Sequence, residues 1–156
     1  TSSNHAILRY DGSTGASKGV FVSPGAGGLN QPRGLVFKQD GHLLVTSYLT
    51  DQVLEYSATG AFLRVFNDLV VPTRPWGIRI GPNGNVFVMR TSGDIRCLEY
   101  LPETGRYYRA FVRGDVFLAS PGGFDFRPAS PWDCNRNGVL DSCDVFLGTS
   151  LDLNSD

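Results

Sequence analysis

The feature that most constrains this chain is that it repeats itself. "QPRGLVF" at 31–37 aligns with "RPWGIRI" at 74–80 and "SPGGFDF" at 120–126, so Pro32, Pro75 and Pro121 fall 43 and 46 residues apart. Behind the first two come "QDGHLLVTS" at 39–47 and "GPNGNVFVM" at 81–89. A third pattern occurs three times, as "HAILRY" at 5–10, "DQVLEY" at 51–56 and "IRCLEY" at 95–100, each followed by a turn and another strand-like run. A period in this range is the signature of an array in which one supersecondary unit stacks on the next.

Each unit reads as four short strands. Leu35 with Phe37, Ile78 with Ile80 and Phe124 with Phe126 set apolar side chains on one face at period two. Asn83-Gly84 predicts a hairpin of type I′, whose two central residues need positive φ. Nineteen glycines against only 19% charged residues fit many short strands joined by tight turns. A single four-stranded sheet cannot bury both its faces, whereas radial stacking of such sheets does. The expected fold class is all-β, a β-propeller of four-stranded antiparallel blades. A β-sandwich is the alternative, although nothing in a sandwich demands this period.

The stretch "PRGLVFKQDGHLLVTSYLTDQVLEYSATGAFLRVF" resembles an NHL-type propeller repeat: Pro-x-Gly with an apolar strand, an Asp-Gly turn, a second apolar strand, a strand ending in Tyr, then Thr-Gly. "ILRYDGSTGASKGVFVSPGAGGLNQPRGL" is similar to repeats of secreted bacterial proteins. The resemblance covers residues 4–126 and implies architecture rather than activity, since propellers serve as binding scaffolds, lyases and lactonases alike. The pattern enters in the third strand of one blade, completes two blades and stops after the first strand of another, about three blades of material against the four or more that close a propeller. Either the chain is a fragment of a longer protein or copies assemble to close the ring. The opening "TSSNHAILRYDG", without Met or apolar leader, reads as the edge of a processed or excised segment.

Ligands of propellers usually bind at one mouth of the central channel. Arg33, Trp76 and Gly122 hold the same place in successive repeats, so Arg33 and Trp76 are expected at one mouth, as a cation and an aromatic platform for a sugar or peptide. The plainer alternative has Trp76 plugging a gap between blades and Arg33 solvated on the rim. Val36, Arg79 and Asp125 are likewise equivalent, and Arg79 with Asp125 suggests a structural ion pair across adjacent blades rather than an acid/base pair. Catalysis finds little footing. His5 and His42 are the only histidines, His42 sits at a hairpin turn where exposure is expected, and two scattered histidines define no triad.

The repeat ends near "FRPASPW". Residues 1–127 read as propeller, 128–132 as a stiff Pro-rich linker and 133–156 as a different segment. In "DCNRNGVLDSCD", counted from Asp133, oxygen side chains fall at the first, third, fifth, ninth and twelfth places: Asp133, Asn135, Asn137, Asp141 and Asp144. Gly138 stands sixth, and Val139 offers its carbonyl at the seventh. That is the alternation with which one loop wraps Ca2+ in six to eight oxygens at ~2.3–2.6 Å. The alternative is an Asn/Gly-rich turn without metal. The loop resembles those of dockerin modules, with thrombospondin type 3 repeats a further relative by pattern. Asp152, Asn154 and Asp156 begin a second copy that stops before its glycine. In dockerins the tenth and eleventh loop residues often contact a partner module. Here they are Ser142 and Cys143, and Cys143 departs from the usual pair.

Cys134 and Cys143, close together in this loop, favour a local disulfide over two free thiols and hence an oxidising compartment. The location expected is extracellular or cell-surface, or the periplasm. Fourteen basic against 15 acidic residues give no electrostatic case for nucleic acid, and no apolar run approaches the ~18 residues that cross a bilayer. The expected function is a non-catalytic binding or scaffolding module with a calcium-binding attachment segment. Its partners would be a protein or carbohydrate at the propeller mouth, a partner module for the calcium segment, and other copies if the chain is complete. The alternative is part of a propeller lactonase or lyase acting on a sugar, lactone or peptide.

Overall fold

A computed structural model describes residues 5–67, 73–91, 95–113, 124 and 126. The chain divides into two compact units, Thr1–Phe124 and Asp125–Asp156, and every element below belongs to the first. Strands β1 (Ile7–Tyr10) and β2 (Ser17–Val22) form a two-stranded sheet. Strands β3 (Pro32–Phe37), β4 (Leu43–Ser47), β5 (Gln52–Tyr56) and β6 (Phe62–Val65) follow as an antiparallel meander. Strands β7 (Pro75–Ile80), β8 (Val86–Arg90), β9 (Ile95–Tyr100) and β10 (Tyr107–Arg113) repeat it. These are blades in the order the sequence period predicts, and β1–β2 match the third and fourth strands of a blade.

The hairpins are where predicted, but their turns are of another type. Gly84 N–H donates to the Gly81 carbonyl and Gly81 N–H to that of Asn85, with positive φ at Gly84 and not at Asn83. This is the three-residue loop with a left-handed glycine, not type I′. The turn at Lys38–His42 is the same, with Gly41 at φ 83°. Asn83 Oδ1 and Asp40 Oδ1 explain the choice: each accepts the backbone N–H two residues on, which holds the Asx residue itself at negative φ.

The core lies between sheets. Both faces of β4 and β5 are buried: Leu43, Val45, Leu54 and Tyr56 join Val22 and Leu29 on one side, while Leu44 and Val53 meet Ile78, Val86, Val88, Leu98 and Tyr100 on the other. A strand buried on both faces reads as a continuous apolar run, which "HLLV" does. The period-two prediction for β3 and β7 holds only in part. Ile78 is buried and Ile80 half-buried, whereas Leu35 and Phe37 are 47% and 55% exposed. Their face of β3 looks toward the two-stranded β1–β2 sheet, which offers half the surface of a blade.

Adjacent sheets touch through backbone. A Cβ on Gly60 would fall on the Phe21 carbonyl, and one on Gly105 on the Phe66 carbonyl, so in each Thr-Gly turn the glycine admits the outer strand of the preceding sheet. Both also have positive φ. Gly60→Ala and Gly105→Ala are each expected to lower stability by about 2–4 kcal/mol in urea unfolding, through backbone displacement added to strain. Gly84→Ala, whose Cβ meets nothing within 4 Å, is expected to lose only about 1 kcal/mol.

Candidate functional site

At one end of the blades the first strands begin. Gln31 and Arg74, each just before the blade's first proline, adopt left-handed φ of 52° and 50°. For non-glycine residues that costs on the order of 1–2 kcal/mol each. The same device offsets the cost twice. Gln31 N–H donates to His5 Nδ1 at 3.0 Å and Arg74 N–H to Asp51 Oδ1 at 2.6 Å. His5 and Asp51 hold the same position one repeat apart, at the start of the third strand of the preceding sheet. The carbonyls of Gln31 and Arg74 accept from Tyr48 and Thr91 N–H, both at 3.2 Å.

This frame gathers cations and aromatics. The Arg33 guanidinium lies over the Trp76 ring at 4.5 Å and over Tyr48 at 5.2 Å, and the Arg74 guanidinium over Tyr48 at 6.0 Å. Tyr48 and Trp76 meet edge to face at 5.8 Å. Each cation–π contact at such a site is worth about 0.5–1 kcal/mol. Arg33 and Arg74 are exposed, and neither guanidinium has a carboxylate partner among the described residues. Arg33 makes a single long bond, 3.4 Å, to Gln31 Oε1. Two guanidiniums braced on one aromatic pair, outward edges toward solvent, can take a carboxylate or another planar anion.

The structure brings Arg33 and Trp76 together, and beside them Tyr48 and Arg74, which sequence reasoning did not single out. The signal for Arg74 was its equivalence to Gln31 before a repeated proline. Tyr48 has no counterpart in the other blade, where Thr91 stands, so the repeat is silent about it. Arg79 is half-buried in β7, with Nη1 donating to the Ile78 carbonyl at 2.9 Å. Asp125, the calcium-ligand set from Asp133 to Asp156, and the Cys134–Cys143 pair lie outside the described residues.

The opposite end holds buried carboxylates. Glu55 and Glu99, equivalent on β5 and β9, are 2% and 0% exposed. Arg64 Nε donates to Glu55 Oε2 at 2.7 Å, and Arg109 Nε to Glu99 Oε2 at 2.6 Å. Lys38 Nζ and His42 Nδ1 complete the first site, each 3.0 Å from Glu55 Oε1, so the histidine expected to be exposed is half-buried and engaged. Asn83 and Asn85 amides complete the second. Asp40, His42 and Glu55 bring ligand atoms within 4.8 Å of one another. Lys38 already bridges both carboxylates there, at 2.9 and 3.0 Å, and a metal would have to displace it. Burial alone would raise the pKa of Glu55, but hydrogen bonds from Lys38, His42 and Arg64 outweigh it and hold the acid below its ordinary value. Glu99 behaves likewise through Arg109, Asn85 and Asn83. Cys97 is buried beside Glu99, and both pressures push its thiol up to about 12, which leaves it protonated and inert as a nucleophile.

No family model matches the chain, and no curated protein matches it significantly. Solved structures do. Hydrazine synthase of Kuenenia stuttgartiensis aligns with TM-score 0.57 and 19% identity, over 76% of this chain and 32% of that one. A catalytically inactive virginiamycin B lyase from Staphylococcus aureus, with quinupristin, aligns with TM-score 0.50 and 18% identity, over 71% and 36%. The chain thus spans about a third of each. Both neighbours are propeller-type proteins, and at this identity the likeness is one of fold. With the repeated four-stranded meanders, it makes the described unit a β-propeller module.

Glutamates with depressed pKa contribute stability that is present above their unfolded value and lost as pH falls through the lower folded one. The thermal midpoint is therefore expected to hold from pH 7 to 5 and to fall steeply below about pH 4.3, the ordinary glutamate value. Glu55→Gln, which leaves the Lys38 ammonium short of a buried partner, is expected to cost about 3 kcal/mol at pH 7 and to flatten that acid limb. An unchanged acid limb in this variant would show that Glu55 does not carry it.

Proposed function

We propose that this chain is a non-catalytic binding module of an extracellular or cell-surface protein, taking an acidic carbohydrate or a peptide carboxylate at the Arg33–Tyr48–Arg74–Trp76 rim. The observation that carries the reading is the pair of exposed guanidiniums on one aromatic pair, held by two left-handed residues. Backbone strain kept in place by hydrogen bonds is a mark of functional loops. Among the described residues, the histidines and the cysteine a catalyst could use are spent on structure: His5 on the Gln31 N–H, His42 on Glu55, and Cys97 on core packing. Support for an enzymatic role rests on a fold likeness at 18% identity, which brings no residue with it.

Calorimetric titration with uronic acid oligomers, their neutral counterparts and acidic peptides tests the rim. Binding of the carboxylated ligands only, weakening with salt, is expected, with Arg33→Ala and Arg74→Ala each losing about tenfold or more. Equal binding of neutral oligomers would overturn the choice of ligand.

The second part of the proposal concerns residues 133–156, read as a calcium-binding attachment segment that engages a partner module or stiffens a stalk. Its support is the ordered set Asp133, Asn135, Asn137, Val139, Asp141 and Asp144 around Gly138, and the start of a second loop at Asp152, Asn154 and Asp156. Isothermal titration with Ca2+ is expected to show binding that Asp133→Ala abolishes while Asp40→Ala leaves it intact. Binding unaffected by Asp133→Ala would sink the loop assignment.

A further inference from the structure

The two sides of the rim are held by one device built from two different side chains. Arg74 N–H donates to a carboxylate, Asp51 Oδ1, at 2.6 Å, and Gln31 N–H to an imidazole, His5 Nδ1, at 3.0 Å. Asp51 and His5 are equivalent in the repeat, "DQVLEY" against "HAILRY", and both have positive φ, 57° and 27°. The geometry is shared and the chemistry is not. A carboxyl group keeps an acceptor oxygen in either charge state, whereas an imidazole that gains a proton is a donor at both nitrogens. Imidazole is also the side chain whose charge changes between pH 5 and 8.

Gln31 is the joint through which His5 reaches the rim. Because Gln31 N–H donates to it, Nδ1 is the ring nitrogen without a proton. The Gln31 carbonyl accepts from Tyr48 N–H at 3.2 Å, and its Oε1 from Arg33 Nη2 at 3.4 Å. Arg33 in turn lies over Tyr48 and Trp76. The left-handed φ of 52° at Gln31 is unfavourable for a residue with a side chain, and the bond to His5 offsets it.

The charges around His5 are accounted for. The loop at 23–31, whose Gly25 N–H donates to the His5 carbonyl at 3.2 Å, has no ionisable side chain. β1 brings Arg9, with its guanidinium over the Phe21 ring at 5.9 Å, and β3 brings Arg33. Among the described residues His5 is in no ion pair, Asp11 being engaged by Lys18 at 2.7 Å and Asp51 by the Arg74 N–H.

We propose that His5 is a positioning residue through which acid releases one arm of the rim, while Asp51 keeps hold of the other. A proton on Nδ1 sets a donor against the Gln31 N–H, so the bond is lost and Gln31 leaves its left-handed conformation. Arg33 and Tyr48 then lose the residue that ties them together, and Arg74 stays where it is. Affinity for a carboxylated ligand falls as pH drops through the interval in which imidazoles change charge. What the rim binds rests on the reading given under the proposed function, but the latch itself does not.

Two measurements keep these apart. The first needs no ligand: hydrogen exchange by NMR, with protection of the Gln31 backbone amide taken relative to that of Arg74, which cancels the intrinsic effect of pH. That ratio is expected to fall about fivefold or more between pH 7.5 and 5.5, the loss of one hydrogen bond. In His5→Asn it is expected to stay constant, because the Asn Oδ1 stands in for Nδ1 as an acceptor at both pH values and Asn tolerates positive φ. The second is calorimetric titration with uronic acid oligomers. The wild type is expected to lose about fivefold or more in affinity over the same interval, His5→Asn to keep its neutral-pH affinity, and His5→Ala to bind weakly at both. A constant exchange ratio in the wild type overturns the latch, whatever binds. Affinity that rises on acidification, as when added charge merely draws in the anion, overturns the release. A falling ratio with no carboxylate bound at either pH upholds the latch and strikes the ligand reading instead.

Discussion

A sheet whose two central strands are apolar on both faces cannot stand alone in water, and everything else in this molecule follows from that. β4 and β5 bury Leu43, Val45, Leu54 and Tyr56 toward one neighbour and Leu44 and Val53 toward the other, so each sheet is a core residue of the next. Stacking has to be close, and the chain achieves it by putting backbone against backbone. Gly60 and Gly105 have no side chain because a carbonyl of the preceding sheet is already there. Arg64 then ties the two sheets, with one edge of its guanidinium on a buried carboxylate and the other on two carbonyls of the neighbouring turn.

The two ends of the blades divide the polar work. At one end, Glu55 and Glu99 sit in the apolar interior, and each is stabilised as an anion only because an arginine and two further donors converge on it. At the other, the left-handed Gln31 and Arg74 are held by side chains of the sheet before, which aims Arg33 and Arg74 at one tyrosine. The first arrangement satisfies its charges internally. The second leaves two guanidiniums without carboxylate partners among the described residues, and the proposed ligand site rests on them.

Architecture was legible because it is periodic. Pro-x-Gly, Asx-Gly, the Glu-Tyr strand end and Thr-Gly each recur where the backbone needs them, and alignment of the chain with itself finds them without a structure. The charge network was not legible. Lys38 and His42 in one blade are replaced by the amides of Asn83 and Asn85 in the other, so the donors differ while the buried glutamate persists. Tyr48 escaped for the same reason: Thr91 stands in its place in the other described blade, and periodic reasoning sees only what recurs. The type I′ expectation failed on a local detail, since Asn83 uses its side chain to hold a turn in which only Gly84 is left-handed.

By itself, the order of residues determined the strands, their meander and the need for neighbours on both faces, because continuous apolar runs and left-handed glycines are properties of short segments. It also determined the oxygen alternation from Asp133 onward, whose chemistry is local. Only the tertiary structure decided that Arg33 lies over Trp76 and Tyr48, that Arg64 reaches across to the next sheet, and that Leu35 and Phe37 remain exposed while Ile78 is buried. Those outcomes depend on which surface one sheet presents to another, and that relation joins residues some 15 to 45 positions apart through packing rather than through any pattern along the chain.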